Sequence, residues 1–205
     1  MLKFLDLLSQ NTICVTRECT LKCGHCALWN NPIFKKRKFE DLVDVVSLIQ
    51  KDMFFKTFKK AKVFNIIGGD PLKYDKLPYL LVFLKKRQIK IRVWTSGVCN
   101  LDVLDQIQGL VDEFVFYVPT CDRDEYREIT GFDGLAKLKD NIAYLQQNKG
   151  LSVAFSHFVT RTSVPNLADI YEFAYQHEVK LYLIYNGHAK FQRESVSYIK
   201  RFERV

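Results

Sequence analysis

Cys19-Thr20-Leu21-Lys22-Cys23-Gly24-His25-Cys26 sets three thiols within eight residues, directly behind the short β-branched run Thr12-Ile13-Cys14-Val15-Thr16. Thiolates select soft metals, so this density points to zinc or to an iron–sulfur cluster. Disulfide frameworks belong to secreted chains, and the opening Met1-Leu-Lys-Phe-Leu-Asp-Leu-Leu-Ser9 is too short and too broken by charge for a secretory segment. Structural zinc closes with four ligands, commonly from two Cys-x-x-Cys pairs. Here three cysteines stand at C-x3-C-x2-C spacing. Three thiolates on a four-iron cube would leave one iron open to a small molecule, which suits catalysis better than electron transfer alone.

Working outward, strand and helix signals alternate. Apolar residues at Leu42, Val45, Val46 and Ile49 have helical spacing over about 39–49. Strands are expected at 62–67, 91–95, 113–118, 151–156 and 179–185. Between them fall helices at 76–87, about 100–109 and 165–177, with a turn and a long helix in 123–148 carrying Leu135, Leu138, Ile142 and Leu145 on one face. Pro78 suits a first helical turn. Six βα units in succession imply a parallel sheet with right-handed crossovers. Near-continuous apolar strands such as Val63 to Ile67 fit a sheet covered by helices. Periodicity alone allows an open doubly wound sheet or a partial barrel.

The 205 residues fit a single domain over 1–205, with a short N-terminal segment at 1–10 and a basic helical tail at about 189–205. Apolar residues make up 48% and charged residues 26%, as in soluble proteins, and no run of 18 apolar residues suggests a membrane span. A cytoplasmic protein is expected. The net charge of +8 gathers at Lys35–Lys38, Lys56–Lys62 and Lys85–Arg87. This balance admits nucleic acid, an anionic substrate or an acidic partner; solvated helix faces are the ordinary reading of such runs.

In parallel βα folds, active groups collect on the loops behind the carboxyl ends of the strands. Every unusual stretch obeys this: Cys19 to Cys26, Gly68-Gly69-Asp70-Pro71, Thr95-Ser96-Gly97 and Thr120-Cys121-Asp122 each follow a different strand. Cys14, inside the first strand, reads as a small core residue. Cys99 and Cys121 lie near the rim and read as packing thiols. His157 closes the fifth strand and is a candidate cavity residue.

The cysteine loop resembles the signature of radical S-adenosylmethionine (radical SAM) enzymes, in which an aromatic residue or His precedes the last cysteine; His25 fills that slot. Gly68-Gly69-Asp70-Pro71 resembles the family's Gly-Gly-Glu-Pro, Thr95-Ser96-Gly97 its Thr-Asn-Gly, and Val159-Thr160-Arg161 a Val-Thr-Arg after strand five. Tyr126 to Gly131 resembles a His-Asp-x-Ile-Arg-Gly segment, with Thr130 where relatives often carry Arg. The resemblance implies a parallel (β/α)6 partial TIM-like barrel of the α/β class and a [4Fe–4S] cluster on Cys19, Cys23 and Cys26. It further implies contacts to S-adenosylmethionine from His25, Gly68, Gly69, Asp70, Ser96, Thr120 and Arg161. The activity it implies is reductive cleavage of S-adenosylmethionine to methionine and a 5′-deoxyadenosyl radical that abstracts hydrogen from a small-molecule, peptide or protein substrate. Flavodoxin or ferredoxin is the implied reductant, and Lys35–Lys38 would complement its acidity. No cysteine follows Cys121, so the auxiliary clusters of many peptide-modifying relatives are not expected. Two other readings stay open: a zinc-stabilised nucleic-acid-binding module, and a degenerate radical SAM fold serving as a scaffold, motivated by Asp70 and Ser96.

Overall fold

The computed structural model describes residues 3–4, 12–26, 40–43, 63–148, 150–160 and 162–185. Arg161, the basic runs at 35–38 and 56–62, the tail at 189–205 and most of the helix expected over 39–49 lie outside the described residues. Of that helix, residues 40–43 are helical and Leu42 is buried.

The strands are β1 (Lys3–Phe4), β2 (Thr12–Cys14), β3 (Val63–Ile67), β4 (Lys90–Thr95), β5 (Glu113–Tyr117), β6 (Ser152–Val159) and β7 (Lys180–Tyr185). The helices are α1 (Leu77–Lys85), α2 (Leu101–Ile107), α3 (Arg123–Thr130), α4 (Leu135–Gln146) and α5 (Leu167–Gln176). All strand pairs are parallel, in the order β1-β7-β6-β5-β4-β3-β2. From β2 to β7 each strand pairs with the next one in the chain. Right-handed crossovers that always step the same way put every helix on one face, so the sheet is singly wound and curls around its other face. That choice between doubly wound sheet and partial barrel falls to the barrel.

Three expectations change in detail. The segment at 1–10 is not merely a lead-in: Lys3 and Phe4 pair with Tyr182 and Leu183, covering hydrogen-bonding groups of β7. The turn expected after Arg123 is the helix α3, because the Asp122 carboxylate caps the Glu125 amide at 2.8 Å and Gly131, at φ +65°, closes the other end. β6 runs on to Val159, so His157 lies within it rather than at its end.

Side chains alternate between two buried faces. Ile91, Val93, Phe114, Phe116, Val153, Phe155, Leu181 and Leu183 join the helices in the main core, while Trp94, Val115, Ala154, Tyr182 and Ile184 form a smaller inner cluster. At the amino-terminal end of this inner face, the buried Glu113 receives Arg92, Lys180 at 3.2 Å, the Tyr182 hydroxyl at 3.2 Å and the Ser152 hydroxyl at 3.3 Å. The Trp94 indole and Arg92 both donate to the Asn65 side-chain oxygen. Burial pushes the Glu113 carboxyl up, but Arg92 and Lys180 outweigh it and hold the pKa below its ordinary value.

Candidate active site

The opposite, carboxyl-terminal end carries the unusual residues. The segment following β2 lies directly on the loop following β3: the Gly69 amide donates to the Thr16 carbonyl at 2.7 Å and the Asp70 amide to Glu18 at 2.6 Å. A Cβ on Gly69 would stand 2.3 Å from the Arg17 carbonyl oxygen, and one on Gly68 would stand 2.7 Å from that of Thr16. Both glycines are therefore demanded by the approach of two backbones. On its far side the cysteine loop is held by α3, where the Lys22 amide donates to the Thr130 carbonyl at 2.7 Å.

Cys19, Cys23 and Cys26 are free, partly exposed thiols on this loop, and Cys19 and Cys23 also touch the main core. Burial pushes the Cys19 thiol up to about 12, with negative charge on Asp70, Cys23 and Cys26 adding to the effect. Cys23 is pushed up to about 11 by burial and by Cys26. The three thiols are near enough to raise one another's pKa, and a cationic core placed among them would stabilise them as thiolates. Among the described residues, no group of three His, Cys, Asp or Glu side chains is arranged to hold a single metal ion. A cube of four irons takes one thiolate per iron, so its ligands stand farther apart than those around one ion. Three thiols on one loop are the donor chemistry such a cluster takes from a chain that leaves one iron without a protein ligand.

Asp70 is buried and its carboxylate accepts from the Leu72 amide, the Thr95 hydroxyl at 2.7 Å, and both the amide and hydroxyl of Ser96. Burial pushes its pKa up and these bonds oppose the rise. The side chains of Asp70 and Ser96 thus bind each other, tying together the loops after β3 and β4. Cys99, pushed up to about 12 by burial and Asp70, lies behind the β4 loop, where Asn141 donates to the Gly97 and Cys99 carbonyls. Cys121 contacts the Asp169 carbonyl, and the half-buried Cys14 the Thr16 carbonyl.

Beside the cysteine loop, over the ends of β5 and β6, opens a cavity of about 370 Å³. Gly24 and His25 form one wall; Tyr117, Glu125, Glu128, His157, Phe158 and Thr160 are among the others. The His25 Nε2 lies 3.0 Å from the Tyr117 hydroxyl, and its ring meets those of Tyr117 and Phe158 at centroid distances of 5.8 and 5.7 Å. Burial lowers the His25 pKa. Thr120 is buried just behind, where its hydroxyl donates to Glu125 while Asn166 donates to the other oxygen of that carboxylate.

Of the residues singled out from sequence, Cys19, Cys23, Cys26, His25, Gly68, Gly69, Asp70 and Ser96 come together on adjoining loops, and Thr120 supports the cavity wall through Glu125. Tyr117, Glu125, Glu128 and Phe158 were not anticipated. Tyr117 and Phe158 continue the inward alternation of Val115 and of Ala154, so strand parity, carried two residues past the expected strand end for Phe158, would have found them. Glu125 and Glu128 sit on α3, in the stretch for which the sequence predicts a turn ahead of the long helix.

A sequence profile of the Radical SAM superfamily matches residues 13–174. The PqqA peptide cyclase of Granulibacter bethesdensis is 22% identical over 167 residues, 78% of this chain and 42% of that protein. Crystal structures of SuiB from Streptococcus suis cover 93% of the chain: with S-adenosylmethionine bound at TM-score 0.69, 15% identity and 43% of SuiB, and with its precursor peptide SuiA bound at 0.70, 17% and 45%. Methylornithine synthase (PylB) superimposes at TM-score 0.65 and 14% identity over 94% of the chain and 61% of PylB. The chain thus spans less than half the length of the peptide cyclase and of SuiB, and the fold they share is the (β/α)6 partial barrel. No helix among the described residues is long and apolar enough to cross a membrane.

Proposed function

The chain belongs to the radical SAM superfamily, and on that premise we propose that Cys19, Cys23 and Cys26 hold a [4Fe–4S] cluster whose open iron takes S-adenosylmethionine, for radical chemistry on a peptide substrate. The superfamily's cofactors are the [4Fe–4S] cluster and S-adenosylmethionine, and membership marks the protein as an enzyme. One observation carries the residue assignment: three free thiols sit on one rim loop that is locked against Gly68-Gly69 and borders the cavity through Gly24 and His25.

When bound, the cofactors supply reductive cleavage of the sulfonium to a 5′-deoxyadenosyl radical able to abstract hydrogen. The chain's own residues bind and orient. Gly68 and Gly69 offer backbone carbonyls to the methionine ammonium, a role unaffected by the shorter Asp70 side chain. Asp70 and Ser96 act one step back, fixing the β3 and β4 loops through their mutual bonds instead of touching the ligand. His25, steadied by Tyr117 and Phe158, walls the nucleoside side, and Glu125, oriented by Thr120 and Asn166, faces the same space. Arg161 is the candidate for the methionine carboxylate through its planar fork. A peptide substrate is supported by the likeness to PqqA peptide cyclase and to SuiB, which binds SuiA. A cytoplasmic flavodoxin or ferredoxin, met by Lys35–Lys38, is the proposed reductant.

Anaerobic reconstitution with iron and sulfide tests the reading: about four irons per chain are expected, and dithionite with S-adenosylmethionine should yield 5′-deoxyadenosine. A colourless protein holding one zinc would overturn it. Cluster uptake without 5′-deoxyadenosine would favour the scaffold.

A further inference from the structure

We propose that His157 is a specificity-determining residue that accepts a hydrogen bond from an N–H or O–H of the nucleoside half of S-adenosylmethionine. The proposal rests on the cofactor reading above and adds to it a residue and a polarity.

His157 is fully buried, and its Nδ1 lies 2.9 Å from the Val118 carbonyl oxygen. A carbonyl can only accept, so Nδ1 carries the proton and Nε2 is left with its lone pair. That Nε2 has no partner. Buried acceptors of this kind are rare in folded proteins, and the exceptions call for an explanation. Here one is at hand, since His157 lines the same cavity as Gly24 and His25 of the cysteine loop. Burial lowers its pKa to about 4, so the ring stays a neutral acceptor near pH 7. Apart from the exposed Glu128, the other polar side chains of the wall are already engaged: His25 with Tyr117, Glu125 with Thr120 and Asn166, and Thr160 with Thr162 and Ser163.

A ligand lying between the cysteine loop and β6 must therefore present a hydrogen. The methionine ammonium is not that donor, because Gly68-Gly69 follows β3, three strands away from β6 in the sheet. What remains on the cofactor are the adenine amino group and the two ribose hydroxyls.

The experiment is calorimetric binding to the anaerobically reconstituted protein, with no turnover required. S-adenosylmethionine is compared with analogues carrying purine in place of adenine, 2′-deoxyribose or 3′-deoxyribose. One analogue should bind the wild type roughly ten- to a hundredfold more weakly. His157→Leu should weaken S-adenosylmethionine by a similar factor and bind that analogue no worse, while His157→Gln, which keeps an acceptor near Nε2, should restore discrimination. The deleted group that matters identifies base or ribose as the source. Equal binding of all three analogues by the wild type overturns the proposal even if His157→Leu does not fold. So does a folded His157→Leu protein that binds and discriminates as the wild type does. A reconstituted wild type that binds no S-adenosylmethionine overturns the cofactor reading itself, a result distinct from both.

Discussion

The two ends of the barrel differ in how completely they satisfy the polar side chains they bury. At the amino-terminal end, Glu113, Arg92, Asn65, Trp94 and Tyr182 satisfy one another. At the carboxyl-terminal end, buried groups are left over. All five unpartnered buried side-chain atoms among the described residues, on Thr20, Tyr74, Tyr126, Asn141 and His157, lie in or against the loops and strand ends of that rim. The free thiols of Cys19, Cys23 and Cys26 are there too. A closed polar network specifies packing, whereas orphaned donors and acceptors mark where something other than the protein completes the structure. The comparison separates residues that hold the barrel together from residues that serve its chemistry, and it can be attacked from either side.

The largest effect is expected from Cys23→Ala. Iron uptake on reconstitution and 5′-deoxyadenosine formation should fall to background while circular dichroism and melting temperature stay close to wild type, because the Cys23 thiol is only partly buried at the margin of the core and the loop keeps its buried Leu21. A variant with full iron content would remove Cys23 from the ligand set. Glu113→Ala should do the reverse, leaving the partly buried Arg92 without its counter-charge. A loss of about 3 kcal/mol is expected, seen as a lower melting temperature with iron content per folded chain unchanged.

The same carboxylate has a pH signature. Its folded pKa is depressed, so its stabilising contribution is complete above the unfolded value of 4.5 and is lost as pH falls through the lower folded value. Melting curves from pH 6 downward should converge between wild type and Glu113→Gln; parallel curves would mean that the ion pair contributes nothing. Gly69→Ala sharpens the contrast at intermediate size. Its methyl would collide with backbone on both Arg17 and Glu18, so about 1–3 kcal/mol should be lost, and iron retention should drop along with stability because the displaced loop carries Cys19. The smallest effect belongs to Gly131→Ala, where an L-residue in the left-handed region costs about 1 kcal/mol, measurable by denaturant titration, with cluster content intact.

The cysteine loop, the glycine pair and the six βα units were legible because each is a local pattern: ligand spacing, a close-approach dipeptide, a period of apolar residues. Pairing of β1 with β7 was not, since two residues make no periodic signal and the edge they cover exists only in the assembled sheet. The helix at Arg123 to Thr130 is hidden by composition, its charged residues leaving only Tyr126 and Ile129 as an apolar pair, though Asp122 and Gly131 stand at its two caps. Asp70 and Ser96 were recognised as belonging together on one rim; that their side chains bind each other depends on two loops from different strands meeting, which no spacing reveals.

The amino-acid sequence by itself determined the donors and the order of the elements, because thiol spacing and apolar period are properties of neighbouring residues. Only the tertiary structure decided which buried polar groups are paired. Glu113 finds its partners on the adjacent strands β4 and β6 and on β7 one strand farther, while His157 finds one for Nδ1 and none for Nε2. Hydrogen bonding across strands depends on register and curvature, and those are settled when the sheet closes rather than along the chain.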